Sequence, residues 1–240
     1  MAATIISVDL ILRVREFYTM AYQEISADER KQVMSENGLT DYAIPSFILS
    51  VAAVEAFVNE VFLAFGSGFL KGTSFENLST DQIKNFREKR SLHDKLIELP
   101  KLAFDEDVFN RGRQPFQDMY HLINVRDSFV HYKMAMEPED QGTFNYLVGK
   151  RIALKSVNNP SRFWAHDLCT FEGIRWAHNT VIQITKNILD TAVKTNRHQI
   201  LIALGTQAKN FYQPIPDPDK DIELWLAWLR SHYNWEKVKK

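Results

Sequence analysis

The stretch "PSFILSVAAVEAFVNEVFLAF", residues 45–65, is apolar on nearly every side when it is drawn as a helix. Its first residue is a proline, which is typical of helix starts, and the "GSG" that follows at 66–68 favours a helix end. A helix that is apolar all round is usually buried all round. Its short length and its polar residues Glu55, Asn59 and Glu60 argue against a membrane span. We therefore expect a central core helix, or one that also forms a subunit interface.

Helical spacing of apolar residues continues through most of the chain. It predicts a long helix over 7–34, a short one that ends near Pro100, one that Pro115 opens, and one over 163–195. Residues 133–160 mix Pro, Gly and Asn, so they are predicted to be irregular, with a short extended piece, "FNYLVGKRIAL". The pattern as a whole predicts an all-α, antiparallel helical bundle over residues 1–205.

The remaining residues, 206–240, are predicted to form a linker and a C-terminal docking helix. "QPIPDPDK" is typical of a linker, and "DIELWLAWLRSHYNWEKV" predicts an amphipathic helix with acids at its start and lysines at its end. Trp225, Trp228 and Trp235 could stack on nucleobases. An aromatic stripe at helical spacing is more often a docking surface, which we expect here.

Composition and charge are those of an ordinary globular protein. The 240 residues carry a formal net charge of −1, so nucleic acid would have to be bound by a local basic patch. The single cysteine, Cys169, excludes an intrachain disulfide. No apolar run of membrane-spanning length and no basic leader segment is present, so we expect a cytoplasmic protein without membrane association.

A second stretch, "NVRDSFVHYK" (residues 124–133), places charged residues inside an amphipathic helix. On a helical wheel of 115–132, Asp127 falls in the middle of the apolar arc, Arg126 within it, and His131 at its edge beside Tyr120. The three titratable residues are therefore predicted to face packed surface or a cleft. The opposite, solvent-facing arc is predicted to contain Gln117, Asp118, His121, Asn124 and Ser128.

Two interpretations of these three residues remain open. Buried charges need partners, and adjacent helix positions do not face each other, so a structural network would pair Glu55 with Arg126. Asn59 or Tyr120 would then meet Asp127 or His131. Alternatively, a guanidinium and an imidazole on two sides of a groove suit phosphodiester chemistry, with histidine as proton acceptor or donor and arginine stabilising a phosphorane. We find no convincing set of metal ligands and expect no metal or cofactor.

"RDSFVH" (126–131), an arginine and then a histidine after four residues near a helix end, resembles the signature of HEPN domains. "SVAAVEAFVNEVF" (50–62) is similar to the earlier helix of many such domains, and the resemblance covers about residues 7–195. It implies a HEPN-like all-α bundle that acts as a metal-independent endoribonuclease, leaves 2′,3′-cyclic phosphate ends and works as a homodimer. Arg126 and His131 would then be catalytic, with Glu55 and Asn59 orienting them.

Asp127 departs from the family pattern, which commonly has an asparagine after the arginine. An acid there lowers the positive potential of a phosphate site. Some HEPN domains are non-catalytic interaction modules, often beside a nucleotidyltransferase, and that alternative stays open. The enzymatic alternative suggests a toxin or phage-defence effector with an antitoxin partner.

A local basic patch for RNA is predicted in "KNFREKRSLHDK" (84–95). Backbone phosphates supply much of the affinity for nucleic acid, so clustered cations matter. Acidic residues interleave them, and a solvated face of mixed charge is the more common meaning of such a run. The candidate RNA-binding residues are Lys84, Arg87, Lys89 and Arg90.

Overall fold

A computed structural model of the chain describes residues 6–24, 40–64, 78–131, 138–153, 164–196, 212–217, 220, 223–225 and 227–228. Besides helical residues at 223–225 and 227–228, these ranges hold a short 3-10 helix, Trp164–Leu168, and seven α-helices. No strand occurs within them, so the predicted all-α class is confirmed. The α-helices are α1 (Ile6–Glu24), α2 (Ala43–Ala64), α3 (Thr80–Lys89), α4 (Leu92–Phe104), α5 (Phe116–Val130), α6 (Pro138–Gly149) and α7 (Phe171–Lys194).

Helix α2 is the centre of the bundle, as its apolar sequence predicts. It packs against α1, α4, α5 and α7, and its largest aromatic side chains are fully buried. Ser7, at the start of α1, donates hydrogen bonds to the carboxylate of Glu60 near the end of α2, so the two helices run antiparallel. By length and composition alone the segment Ala43–Leu63 could cross a membrane, and more than half of it is buried inside the protein.

Two helices form where the sequence predicts none. Helix α3 lies in the expected polar connection and begins with a capping box, in which Ser79 and Gln82 satisfy each other's backbone N–H groups. Helix α6 lies within the segment predicted to be irregular and includes the first part of its extended piece, so that prediction is wrong for residues 138–149. Thr143 and Leu147, one helical turn apart, are both buried, so tertiary packing outweighs the local Pro, Gly and Asn content.

Helices α4 and α7 also differ from their predicted bounds. Helix α4 contains Pro100 and continues to Phe104, because Ala103 and Phe104 beyond the proline are buried in the core. Helix α7 begins at Phe171 after the 3-10 helix, where Thr170 caps it by accepting a hydrogen bond from the backbone N–H of Gly173. The predicted extension of α1 to residue 34 lies outside the described residues.

Asp118 fixes the position of α5 against α6 and α7. Its buried carboxylate accepts hydrogen bonds from Lys150 Nζ at 2.6 and 2.8 Å, the Tyr146 hydroxyl at 3.1 Å and the Trp176 indole N–H at 3.0 Å. Burial of the Lys150 ammonium lowers its pKa, but the hydrogen bonds to Asp118 and Tyr146 outweigh burial and raise that pKa overall. The prediction that Asp118 faces solvent is therefore wrong, since donors from α6, from Lys150 just after it and from α7 satisfy the carboxylate.

Part of the C-terminal segment packs on α1. Trp225 and Trp228 are buried, and the Trp225 indole N–H donates to the Tyr18 hydroxyl at 3.0 Å. Upstream, the backbone N–H and C=O of Ile215 pair with the side-chain amide of Asn179 on α7 at 2.7 and 2.9 Å. These two tryptophans therefore contact the helical body, while Trp235 lies outside the described residues.

We predict that Asp118→Ala destabilises the protein by about 3 kcal/mol, because it leaves a buried indole N–H and a partly buried ammonium without their acceptor. The measurement is the free energy of unfolding in urea at pH 7. Asp107→Ala is the matched control, since Asp107 is 73% exposed in a surface pair with Lys101 and should cost less than about 1 kcal/mol. Equal losses in the two variants would contradict the role given to Asp118.

Candidate functional site

The buried arc of α5 is rotated from the predicted one. Residues Asp118 and Ser128, expected at the surface, are buried, whereas Tyr120 and Val130, expected on the apolar arc, are 39% and 51% exposed. Ser128 tolerates burial because its hydroxyl donates to the backbone carbonyl of Asn124. The rotation places Tyr120, Asp127 and His131 together on the exposed side, since spacings of seven and eleven residues return to the same helix face.

Arg126 pairs with its neighbour Asp127. The Arg126 Nε lies 2.8 Å from Asp127 Oδ1, with side chains that are 29% and 47% exposed. The N–H does not point at the oxygen, so the contact is an ion pair without an aligned hydrogen bond. Asp127 therefore supplies charge to Arg126 but leaves the buried Nε–H without a hydrogen-bond partner, in line with the expectation that adjacent positions do not satisfy each other.

His131 forms the end of α5. It is exposed, and its backbone N–H donates to the carbonyl of Asp127 at 2.8 Å. Close by, the ring of Phe129 stacks on Phe47 of α2, with ring centroids 5.9 Å apart. The C-terminal end of α5 therefore lies beside the N-terminal half of α2.

The residues predicted to orient the motif lie elsewhere on α2. Glu55 is exposed, Asn59 is half-buried, and within the described ranges no ion pair joins Glu55 to Arg126. Phe47, which touches the end of α5, is eight residues before Glu55, or about 12 Å along the helix. The expected Glu55–Arg126 pair is thus absent from the described structure, and Asp127 takes its place.

A cleft of about 460 Å³ lies between the start of α4 and the start of α5. Tyr120 lines it, with its ring centroid 5.1 Å from that of His93 and 5.2 Å from that of His121. Burial lowers the pKa of His93, and the negative charges of Asp94 and then Asp127 oppose that shift. Asp127 is therefore electrostatically coupled to this cleft as well as to Arg126. Sequence reasoning missed the cleft, because no periodicity connects His93 to α5.

His121 is not the solvent-facing residue that the wheel predicts. Its ring stacks on Tyr146 at 3.9 Å between centroids, and its Nδ1 lies 3.0 Å from Thr143 Oγ1. Burial lowers the pKa of His121 to about 4, the negative charge of Asp118 opposes that shift, and the positive charge of Lys150 adds to it. His121 is therefore neutral at pH 7.

The candidate RNA-binding residues lie on or just after α3, away from Arg126 and His131. Phe86 of α3 stacks on Phe62, near the end of α2 opposite to Phe47. Fifteen residues of α2 separate these contacts, or about 22 Å at 1.5 Å per residue. Lys84 and Lys89 are exposed, whereas Arg87 and Arg90 form ion pairs with Glu88 and Glu98. The ring of Phe86 therefore lies far from the end of α5, whereas Arg90 directly precedes Ser91, which lines the same cavity as Tyr120.

Acid should destabilise the protein partly through His121. Since the folded pKa of about 4 is below the ordinary 6.5, the unfolded chain binds a proton first, and stability falls as pH drops from 6.5 towards 4. We predict that His121→Gln reduces the difference between the urea unfolding midpoints at pH 7 and pH 4.5. The exposed His166→Gln variant should keep the wild-type difference; an unchanged difference in His121→Gln would contradict the prediction.

No metal-binding group of three or more His, Cys, Asp or Glu side chains occurs in the described ranges. No family model matches the chain, and neither the curated proteins nor the solved structures include a match. The likeness to HEPN domains therefore stands on the residues of α2 and α5 alone.

Proposed function

We propose that this protein is a HEPN-type, metal-independent endoribonuclease, with Arg126 and His131 as its catalytic residues. The observation that carries the proposal is the arrangement at the end of α5. There His131 is exposed, and Asp127, on the same helix face, holds the Arg126 guanidinium by a 2.8 Å ion pair. At this end of the bundle His131 is thus accessible, and the Arg126 side chain, with its Nε buried, is 29% exposed.

In the proposed reaction these two side chains take up a proton and stabilise the developing charge. The His131 imidazole accepts the proton of a ribose 2′-hydroxyl as the 2′-oxygen attacks the adjacent phosphorus. The Arg126 guanidinium stabilises the additional negative charge of the phosphorane. The bond from phosphorus to the 5′-oxygen then breaks, and that oxygen takes a proton from solvent or from a second imidazole. The products are a 2′,3′-cyclic phosphate and a 5′-hydroxyl.

A homodimer is part of the proposal, because a second copy would supply the second imidazole. Two exposed apolar side chains support a contact at this end of the bundle: Ile48 and Val130, which are 36% and 51% exposed. Each directly follows a member of the Phe47–Phe129 stack. Exposed apolar residues beside a polar site are common at interfaces between copies. Cytoplasmic RNA as substrate and an antitoxin as partner complete the proposal.

A non-catalytic HEPN interaction module, partnered by a nucleotidyltransferase or another protein, is the alternative. The observation that favours it is the Asp127 carboxylate, which neutralises much of the charge that Arg126 would offer to a phosphate. The exposure of His131 argues against this alternative, because a structural network would be sealed between helices. Cleavage of RNA distinguishes the two.

We predict that the purified protein cuts single-stranded RNA in EDTA and leaves cyclic phosphate ends. His131→Ala should lower the rate about 100-fold or more, since it removes the proton acceptor. His166→Ala is the matched control: His166 is exposed, contacts Phe129 at 6.2 Å between ring centroids, and should leave cleavage intact. Circular dichroism melts verify that both variants fold. Absence of cleavage on every RNA tested, with the protein folded, would favour the interaction module.

We further predict that Asp127→Asn increases the cleavage rate. The amide has nearly the same shape as the carboxylate, while the negative charge beside the phosphate disappears. One charge near the protein surface contributes about 1 kcal/mol, or roughly fivefold in rate. Asp107→Asn changes the net charge equally in an exposed loop and should have no such effect. A lower rate in Asp127→Asn, with unchanged melting, would mean that the carboxylate itself takes part in the reaction.

A further inference from the structure

The cleft between α4 and α5 is lined by aromatic rings that contact one another and remain partly exposed to solvent. The Tyr120 ring lies on that of His93 with a tilt of 32°, and meets the ring of His121 edge-on at 81°. His121 stacks in turn on Tyr146. These contacts hold the Tyr120 ring in place, yet the residue is 39% exposed in a cavity of about 460 Å³. A fixed, accessible aromatic ring is a platform for another planar group.

The charges in the cleft suit an uncharged planar group better than a phosphate. Arg111 NH2 lies 3.1 Å from Asp94 Oδ1, so the cation at the rim is already paired. Ser91, the cap of α4, donates to the other oxygen of Asp94 at 2.8 Å. Gln117, on the α5 side of the cleft, carries an amide that can both donate and accept, as the edge of a nucleobase requires.

Tyr120 also shares a helix face with His131. The two residues are eleven positions apart, or about 16 Å along the helix, a distance that a few nucleotides of an RNA strand can span. A strand whose scissile phosphate lies at His131 can therefore reach the cleft with a neighbouring base.

We propose that the α4–α5 cleft binds a nucleobase of the RNA substrate, stacked on Tyr120, a few nucleotides from the scissile phosphate. The distance to the scissile phosphate rests on the proposed nuclease function, whereas the stacking of a base does not. Base stacking on an aromatic side chain tolerates every base, so the site selects single-stranded RNA over duplex, in which the bases already stack on each other.

Binding is measured by fluorescence anisotropy with 2′-O-methyl decamers, which cannot be cut because they lack the attacking hydroxyl. One decamer carries uracil at every position, and its matched control is an abasic decamer with the same backbone. Tyr120→Ala should weaken binding of the uracil decamer about tenfold and leave the abasic decamer unchanged. Tyr120→Phe keeps the ring and should bind the uracil decamer like the wild type.

Equal binding of the two decamers by wild-type protein would overturn the proposal, as would an equal loss for both in Tyr120→Ala. A change in oligomeric state of Tyr120→Ala by sedimentation velocity, without loss of base-dependent binding, would likewise overturn it, since the ring would then serve a protein contact. Melting curves establish that both variants fold.

A cleavage experiment tests the proposed distance between the bound nucleobase and the scissile phosphate. RNAs with a single abasic site, moved one position at a time, should lose cleavage when the missing base lies at one fixed offset from the cut, and Tyr120→Ala should abolish that dependence. Base-dependent binding without any cleavage would refute the nuclease and leave the base site standing. Cleavage that is insensitive to every abasic position would refute the base site alone.

Discussion

The buried Asp118 carboxylate is the interaction on which the geometry of the candidate site depends. It accepts hydrogen bonds from residues at the end of α6 and from α7, so one side of α5 is held against these two helices. Removing a carboxylate from water costs several kcal/mol unless its oxygens are fully bonded, and here three different donors satisfy it. Because this face of α5 must point inward, the opposite face, with Tyr120, Asp127 and His131, must point outward.

The architecture could be predicted from periodicity, but the rotation of α5 could not. The apolar pattern of residues 45–65 is dense enough to identify the central helix without knowledge of its neighbours. On α5, by contrast, apolar residues spread over a broad arc, and the polar residues that are buried draw their partners from segments far along the chain. Trp176 donates to Asp118 across 58 positions. A helical wheel uses only the polarity of each side chain and contains no information on hydrogen-bond partners from other segments. It therefore predicts that the buried Asp118 faces solvent.

The lack of information on tertiary partners also explains the other differences between the predicted and the observed structure. Helix α6 has weak local signals and forms because Leu147 and Thr143 pack inward. The pairing of Arg126 with Asp127 depends on the conformation of the long arginine side chain. Helical spacing rules give only the direction in which a side chain leaves the helix, so they do not predict this pair. His93 reaches Tyr120 only because α4 packs on the bundle beside α5. Motif residues could be identified from sequence, whereas their partners could not, since partners are set by helix rotation and packing.

The Arg126–Asp127 pair has a consequence for the proposed reaction. In the free protein the guanidinium is already engaged by a carboxylate, so a phosphodiester with one negative charge must compete for it. The phosphorane carries a second negative charge and competes more strongly for the same donors. The guanidinium thus interacts more strongly with the transition state than with bound RNA, and only such a difference accelerates the chemical step. The Asp127 carboxylate acts in the opposite direction, because it repels the phosphorane, with its additional charge, more strongly than it repels bound RNA. An acid beside the proposed catalytic arginine therefore reduces the rate of the chemical step more than it weakens the binding of RNA.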